Sequence, residues 1–516
     1  MSIIIKFMED KYGWKTDGQK NLNEALMNVL PALGTICGSG MGSILMSRGR
    51  ARAFIVACCV GIFGSLFTFI QNFYVFLFAK FIVGASIGLT GVVVARYIEE
   101  YVPLKWFGTA QAISLASLQG GIFLSTIIGA VLPPDESEDL GETNAWIFIF
   151  MLHPILMVIT IALFLILIRT DTPRFYLSTG QEEKAKLVLK KMYDTKDNKV
   201  KLDNIVRAEK AAMDDGGAGT EGGQAQGTKI SPKEALWSND KYVRSSWTSI
   251  LIMAFQCLTG YYAIIAYSEV LLDEDFSEGR KINTRQGVFL IQGFNLIGAI
   301  CSIYLISKVG RRTIILVGQG GIAFSLVGIA IASLFNSPVT LLVLICIVAF
   351  LFQLTLGPLA PMYAAEVCCD IALGFVMITE DVVVLLQEFV TPVLLTSPMQ
   401  PVGVFFMYGV FSMLGLIYIY LRVPETMGLS EQEKREIFWP GSKYGRKLKP
   451  GEECDAGIEH QSETTIKEQL YASALFMLSK VGSASNSGDL HSGHGSGLLG
   501  NASDNLDVKL AGQRRT

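Results

Sequence analysis

Three carboxylates, Glu380, Asp381 and Glu388, lie within one apolar stretch, 371–396. An ionised group in such a stretch is costly, and by default it marks a solute pathway, a proton relay or a cationic partner. For Glu380 and Asp381 we expect pairing with basic residues toward the end of the stretch that faces the basic loops. For Glu388 three roles stand side by side: binding a proton, binding a cationic solute, or pairing with Lys80 of another apolar stretch. Asn295, inside the apolar run 287–306, either cross-links helices or faces a solute. Enzyme chemistry is not supported, because no nucleophile–base pair, metal cluster or phosphate loop occurs. The four histidines, His153, His460, His491 and His494, have no metal-ligand spacing. No catalytic residue, metal or cofactor is therefore expected. Most of the nine cysteines, among them Cys58, Cys59, Cys257, Cys301 and Cys346, sit in apolar runs, where cysteine acts as a small hydrophobe.

These residues need membrane helices to hold them. The 516-residue chain is 51% hydrophobic and 17% charged, too apolar for an ordinary soluble multidomain protein. Eleven stretches are long enough to cross a hydrocarbon core: 25–46, 53–70, 74–95, 108–132, 145–168, 247–272, 287–306, 313–335, 339–365, 371–396 and 402–421. No soluble domain of this length hides so many. The net charge of −3 is uninformative, but its distribution is not. The loops at 71–72, 133–144, 336–338 and 397–401 are poor in Lys and Arg, whereas the turns at 47–52 (SRGRAR) and 307–312 (SKVGRR) and the segment 169–244 are basic. The positive-inside rule puts the basic loops in the cytoplasm. Two similar basic turns in corresponding places suggest a chain built from two related halves. The expected partners are a lipid bilayer and a small-molecule solute, with no nucleic acid.

The basic turns resemble the loop of the major facilitator superfamily written G-x-x-x-D/N-R-x-G-R-R. The second copy keeps Gly310, Arg311 and Arg312, with Lys308 for an Arg, and the first keeps Arg48 and Arg52. Further motifs resemble its sugar porters. Phe81, Gly84, Gly88, Tyr97, Glu100, Pro103 and Gly108 match G-R-F-x-x-G…Y-x-x-E-x-x-P-x-x-x-R-G, with Lys80 and Phe107 replacing its arginines. Asp171, Pro173, Arg174, Phe175, Leu177 and Gly180 match P-E-S-P-R-F/Y-L-x-x-x-G, and 423–429 (VPETMGL) matches V-P-E-T-K-G-L. Gly84 and Gly88 form a face for close helix packing, and Arg96 is expected to snorkel to the interface.

The resemblance implies an all-α polytopic membrane protein with the major facilitator fold, two pseudo-symmetric bundles and about 11 helices rocking about a central site. Candidate solute-binding residues follow from register. Gln119 lies one turn beyond Leu115, which occupies the place of a sugar-facing Gln. Gln256, Thr259 and Tyr262 fall in the Q-Q-x-S-G-x-N motif around Gly260, with Cys257 for the second Gln. Asn295 and Glu388 align with sugar-facing Asn positions. Gln353 precedes Pro361, which replaces a sugar-stacking Trp. A hexose needs several neutral donor and acceptor groups, so the lost Gln, Asn and Trp leave the solute open. At the cytoplasmic ends, Arg48, Arg52, Glu100, Asp171 and Arg174 in one half, and Lys308, Arg311, Arg312, Glu366 and Glu425 in the other, are expected to form a latch of ion pairs.

The implied organisation is an extramembrane segment 1–24, bundles at 25–168 and 247–421, a cytoplasmic helical linker 169–246, a cytoplasmic helix 422–439 and a disordered cytoplasmic tail 440–516. The linker should hold helices at 182–193, at 202–213 and from Ser231, with a flexible run at 216–227. Parity places the N-terminus outside, whereas the superfamily has twelve helices and an inside N-terminus. We therefore expect its first helix to be missing, with 1–8 as a remnant. The function implied is transport of a hexose, polyol or similar solute, facilitative or proton-linked, in the plasma membrane or an endomembrane. The alternatives are a carrier for a cationic non-sugar, and a non-transporting nutrient sensor or truncated product.

Overall fold

The computed structural model describes residues 11–12, 17–130, 145–193, parts of 202–210, 231–266, 284–335, 338–395, 400–429 and parts of 433–439. The expected first-helix remnant, the flexible run 216–227 and the tail 440–516 lie outside the described residues. The chain is helical throughout its long elements: α1 Asp17–Met46, α2 Arg50–Phe67, α3 Phe73–Tyr101, α4 Leu104–Ala130 and α5 Ala145–Leu167, then the short α6 Pro173–Ser178 and α7 Glu182–Tyr193. After a π-helical turn at Glu234–Ser238 come α8 Asp240–Cys257, α9 Tyr261–Ala266, α10 Thr284–Lys308, α11 Arg311–Leu334, α12 Pro338–Leu354, α13 Leu356–Val367, α14 Asp370–Leu395 and α15 Gln400–Arg422.

Among the described residues, ten spans are long and apolar enough to cross a membrane. The remaining expected span is α14, 26 residues long, set apart by its carboxylates. Two expected spans are broken. The run 247–272 divides after Cys257, and Gly260 there has φ +74°, a left-handed conformation that favours glycine. The run 339–365 divides at Thr355 (φ −126°, ψ −79°). The first span starts at Asp17, upstream of the expected position.

α1–α5 and α8–α15 form the two halves. Within the first half, α1 and α3 pack at backbone contact: a Cβ on Gly84 would fall 2.0 Å from Pro31 O, and one on Gly88 2.1 Å from Thr35 O. Here the small-residue face does the packing expected of it. The halves meet along two seams, α1 on α14 and α4 on α10, and α13 crosses to α3 and α4. The linker helix α7 spans the residues expected of it. Ser231 and Glu234 form a reciprocal cap, Ser231 N donating to Glu234 Oε2 (2.7 Å) and Glu234 N to Ser231 Oγ (3.2 Å). Of the expected helix near 430–439, Glu433 and Lys434 are helical, and Ser430 lies outside the described residues.

Candidate functional site

Where α4 meets α10, polar side chains from both halves close a ring. Gln119 Nε2 donates to Gln292 Oε1 (3.1 Å), and Asn295 Nδ2 donates to the same oxygen (3.1 Å). Tyr261 Oη donates to Asn295 Oδ1 (3.0 Å). Gln353 Nε2 donates to Tyr261 Oη (3.1 Å) and to Gln119 Oε1 (3.0 Å), completing the circuit. Gln119 comes from the first half, and Tyr261, Gln292, Asn295 and Gln353 come from the second. The Tyr261 ring stacks on Phe352 with centroids 3.7 Å apart and planes within 3°, and Phe352 is fully buried. Three of the expected residues, Gln119, Asn295 and Gln353, are thus brought together. Gln292 and Tyr261 were missed. Gln292 is one turn before Asn295, on the same helix face, and that spacing was the available signal. Tyr261 differs from the expected Tyr262 by one position, a matter of side-chain direction beyond a break.

Around that break the other expected residues do different things. Gln256 is buried, and its Oε1 has no hydrogen-bond partner among the described residues. Thr259 Oγ1 donates to Gln256 O (2.6 Å), a local bond that uses its hydroxyl to close the end of α8. Tyr262 is half-buried, and its Oη donates to Glu380 Oε1 (2.8 Å). Asp381 Oδ2 accepts from Ser39 Oγ of α1 (2.9 Å). Each of the two carboxylates thus accepts from a hydroxyl on another helix. Glu388 lies on α14, but its side chain is outside what the structure describes. Lys80 is fully buried in the first half, with Nζ 5.0 Å from the Phe150 and 5.5 Å from the Phe76 ring centroids.

At the basic-turn face the two halves repeat one arrangement. Asp171 Oδ1 accepts from Arg50 N (3.1 Å) and Ala51 N (3.3 Å) at the start of α2. Glu425 accepts from Arg311 N (2.8 Å) and Arg312 N (3.1 Å) at the start of α11. Each is an anion on a helix N-terminus, satisfying orphan amides and favoured by the helix dipole. The next residue donates to a buried glutamate: Thr172 Oγ1 to Glu100 Oε2 (2.6 Å), and Thr426 Oγ1 to Glu366 Oε2 (2.8 Å). An arginine pairs with the same glutamate, Arg50 with Glu100 at 2.7 Å and Arg311 with Glu366 at 3.4 Å. The duplication suggested by the basic turns is therefore present down to single hydrogen bonds.

Several expected latch residues are not in it. Arg48, Arg52 and Lys308 are exposed and make no ion pair among the described residues. Arg312 donates to the Tyr420 carbonyl (2.8 Å), not to an acid. Asp171 and Glu425 hold backbone amides in place of guanidinium groups. Arg174 pairs with Glu99 (3.3 Å) inside the first half.

The contacts that cross between the halves come from residues the sequence did not single out for this role. Asp370, at the start of α14, is 2.8 Å from Arg96 Nε and 3.4 Å from Arg50 Nη2. Arg96 is buried, pairs also with Glu99, and donates to the carbonyls of Ala365 (3.2 Å) and Cys368 (2.8 Å) at the C-terminal end of α13. It does not snorkel, because these acceptors of the other half offer more than water at the interface. Lys434 pairs with Glu366 (3.2 Å) and lies 5.7 Å from the ring of Phe107, the residue standing where the family motif has Arg.

Comparison with known proteins gives the arrangement its family. The family model described as "Sugar (and other) transporter" matches residues 1–438. "Hexose transporter 1" of Plasmodium vivax (strain Brazil I) is 24% identical over 449 residues, covering 83% of this chain and 86% of the relative. "Putative metabolite transport protein YwtG" of Bacillus subtilis (strain 168) is 25% identical over 473 residues, covering 87% and 94%. Among solved structures, the proton:xylose symporter XylE of E. coli, bound to 6-bromo-6-deoxy-D-glucose, superposes with a TM-score of 0.71 at 16% identity, covering 85% of this chain and 94% of that one. Family and fold indicate an integral membrane carrier rather than an enzyme. The chain belongs to the sugar porter family of the major facilitator superfamily.

Proposed function

We propose that this carrier moves a hexose, polyol or similar small polyhydroxylated solute by alternating access. The observation that carries the reading is the ring of Gln119, Gln292, Asn295, Tyr261 and Gln353 between the halves. Without solute, its amides and phenol satisfy one another, so no buried polar group in it goes unpaired. A sugar hydroxyl is both donor and acceptor. It can replace a ring bond without leaving either partner unsatisfied, and Gln256 Oε1 is free to take a further hydroxyl proton. The names of the relatives, a hexose transporter and a xylose symporter, point to the same class.

Because the basic turns face the cytoplasm under the positive-inside rule, the Arg96–Asp370–Arg50 contacts shut the cytoplasmic entrance. The C-terminus then lies in the cytoplasm. Solute enters the ring from the opposite side, and release follows when these ion pairs part and the α1–α14 seam opens. The ring and the latch are held by the same two rocking bodies, so only one face opens at a time.

Uptake of radiolabelled D-glucose, D-xylose and myo-inositol into proteoliposomes containing the full chain tests this. At least one should be taken up and inhibited by the unlabelled compound. Gln353→Ala removes the amide that two solute hydroxyls would engage, at about 1 kcal/mol each, so kcat/KM should fall about thirtyfold. Uptake of none of the three, by protein that remains folded, would refute the reading.

A further inference from the structure

Glu366 holds a cation for which Glu100, its counterpart in the first half, has no match among the described residues. Each glutamate accepts from a threonine hydroxyl and pairs with the arginine that opens the neighbouring helix. Glu366 Oε1 also lies 3.2 Å from Lys434 Nζ. Lys434 stands as far beyond Glu425 as Gly180 stands beyond Asp171, and Gly180, a turn at φ +72°, has no side chain to offer. The chain after α15 is built to deliver this lysine. Glu425 Oε1 accepts from Thr426 N and Met427 N (3.0 Å each), and Gly428 turns the backbone at φ +80°. Leu429 and Phe438 are buried on either side of Lys434, and Ile437 N donates to Glu433 O (3.0 Å) across the helical turn that carries it. The Lys434 side chain is 3% exposed and that of Glu366 1%.

The other side of Lys434 faces the first half. Its Nζ is 5.7 Å from the ring centroid of Phe107, which is buried near the start of α4. In the next position, a Cβ on Gly108 would fall 3.1 Å from Arg311 Nη2. Phe107 and Gly108 thus cover a carboxylate held by two cations that travel with the second half. Closing the basic face takes water from Glu366, and a buried carboxylate is tolerated only when paired and hydrogen-bonded. Arg311 and Thr426 meet part of that need. Lys434 meets the rest and gains the π face of Phe107. The motif that this stretch resembles has an arginine at 107; here a ring stands there, and a cation comes to it from beyond the last span.

We propose that Lys434 is a positioning residue of the gate: it neutralises Glu366 and so lets Phe107 and the first half close over the basic face. The inference rests on the carrier reading above. When the halves rock apart at that face, Phe107 lifts away and water solvates the pair. The lysine therefore favours the closed state without blocking the open one. Residues 429–438 are then part of the gate and not a trailing end.

The test needs no solute. Ser43→Cys in a cysteine-free full chain reports opening, because Ser43 is buried in the α1–α14 seam, on other elements than Lys434 and Phe107. In inside-out vesicles a membrane-impermeant maleimide should label it about tenfold faster when Lys434→Met is added, and at nearly the parent rate with Lys434→Arg. Phe107→Arg gives the sharper readout. Alone it sets a third cation beside Glu366 and should raise the rate. Combined with Lys434→Met, its guanidinium replaces the lost ammonium and should bring the rate back to within about twofold of the parent. A residue that only packs the segment gives no such reversal of sign. The proposal is overturned by an unchanged rate in Lys434→Met, by Lys434→Arg matching Lys434→Met, or by Phe107→Arg acting in one direction in both backgrounds. Should Lys434→Met fail to fold, Phe107→Leu decides: it removes the ring face, leaves every charge and should raise the rate about threefold, and no rise overturns the proposal. Uptake of the three solutes by wild-type protein is measured alongside. If none enters, the carrier reading falls, and the labelling still decides the role of Lys434.

Discussion

Replacing Asp370 by Asn should bias the protein toward the state open at its basic face. In the closed arrangement this one carboxylate holds two guanidinium groups of the other half, Arg96 at 2.8 Å and Arg50 at 3.4 Å. Its side chain is 35% exposed, whereas that of Arg96 is only 3% exposed. Fully exposed pairs contribute under about 1 kcal/mol, and breaking fully buried ones costs about 3–5 kcal/mol. Asp370 lies between these limits, and both arginines keep a glutamate of their own half, Glu99 and Glu100. A net loss of about 2 kcal/mol is the reasonable figure, a shift of about thirtyfold in the equilibrium between the two access states. The reporter is Ser43→Cys in a cysteine-free background, because Ser43 is buried against Gly374 in the α1–α14 seam. In inside-out vesicles, a membrane-impermeant maleimide should label it faster in Asp370→Asn by about that factor. An unchanged rate, or an equal rise with the exposed change Glu182→Gln, would show that the pair does not hold the halves together.

Other expectations follow from the same contacts. Gly374→Ala places a Cβ where Ser43 Oγ now sits, 2.0 Å away; the seam must spread, so water-soluble reagents should reach Ser39→Cys faster with no change in the charged latch. The Lys210 hydrogen bond, followed by that of Lys186, holds the Glu182 carboxyl below the usual carboxylate range. A depressed folded-state value means that the stabilisation is complete above the ordinary Glu range and is lost as pH falls through the depressed value. Protection factors of α7 amides, which take out the pH dependence of intrinsic exchange, should therefore be constant through the neutral range and fall only in acid below the ordinary Glu range.

The resemblance carried by the motifs pointed to Glu100, Glu366, Asp171 and Glu425 as latch positions, and the structure places all four at the basic face. Which basic residues meet them was not legible in the same way. In SRGRAR the counted charges are equivalent, but residues two apart on a helix point about 200° away from each other. Arg50 opens α2 facing Glu100, while Arg52 is turned outward and Arg48 stays in the turn. Gly260 advertised its break, because a positive φ favours glycine. The other break falls at Thr355, three residues before Pro358. Pro358 has no N–H for the Leu354 carbonyl and its ring crowds that group, so the helix is interrupted before the proline.

What the sequence determined by itself is therefore whatever depends on local composition and short spacing: the apolar lengths of the spans, the side on which basic loops gather, the cap at Ser231, and the twofold plan of the chain. The tertiary structure alone decided the pairings between distant parts, Asp370 with Arg96, Ser39 with Asp381, and Gln119 with Gln292 and Gln353. The reason is geometric. Within one helix a side chain's direction follows from its position, but its partner across a seam depends on how two rigid bundles are rotated and slid against each other. That docking is set by the sum of many backbone-close contacts, such as Gly84 on Pro31 and Gly374 on Ser43, and no short stretch of residues encodes it.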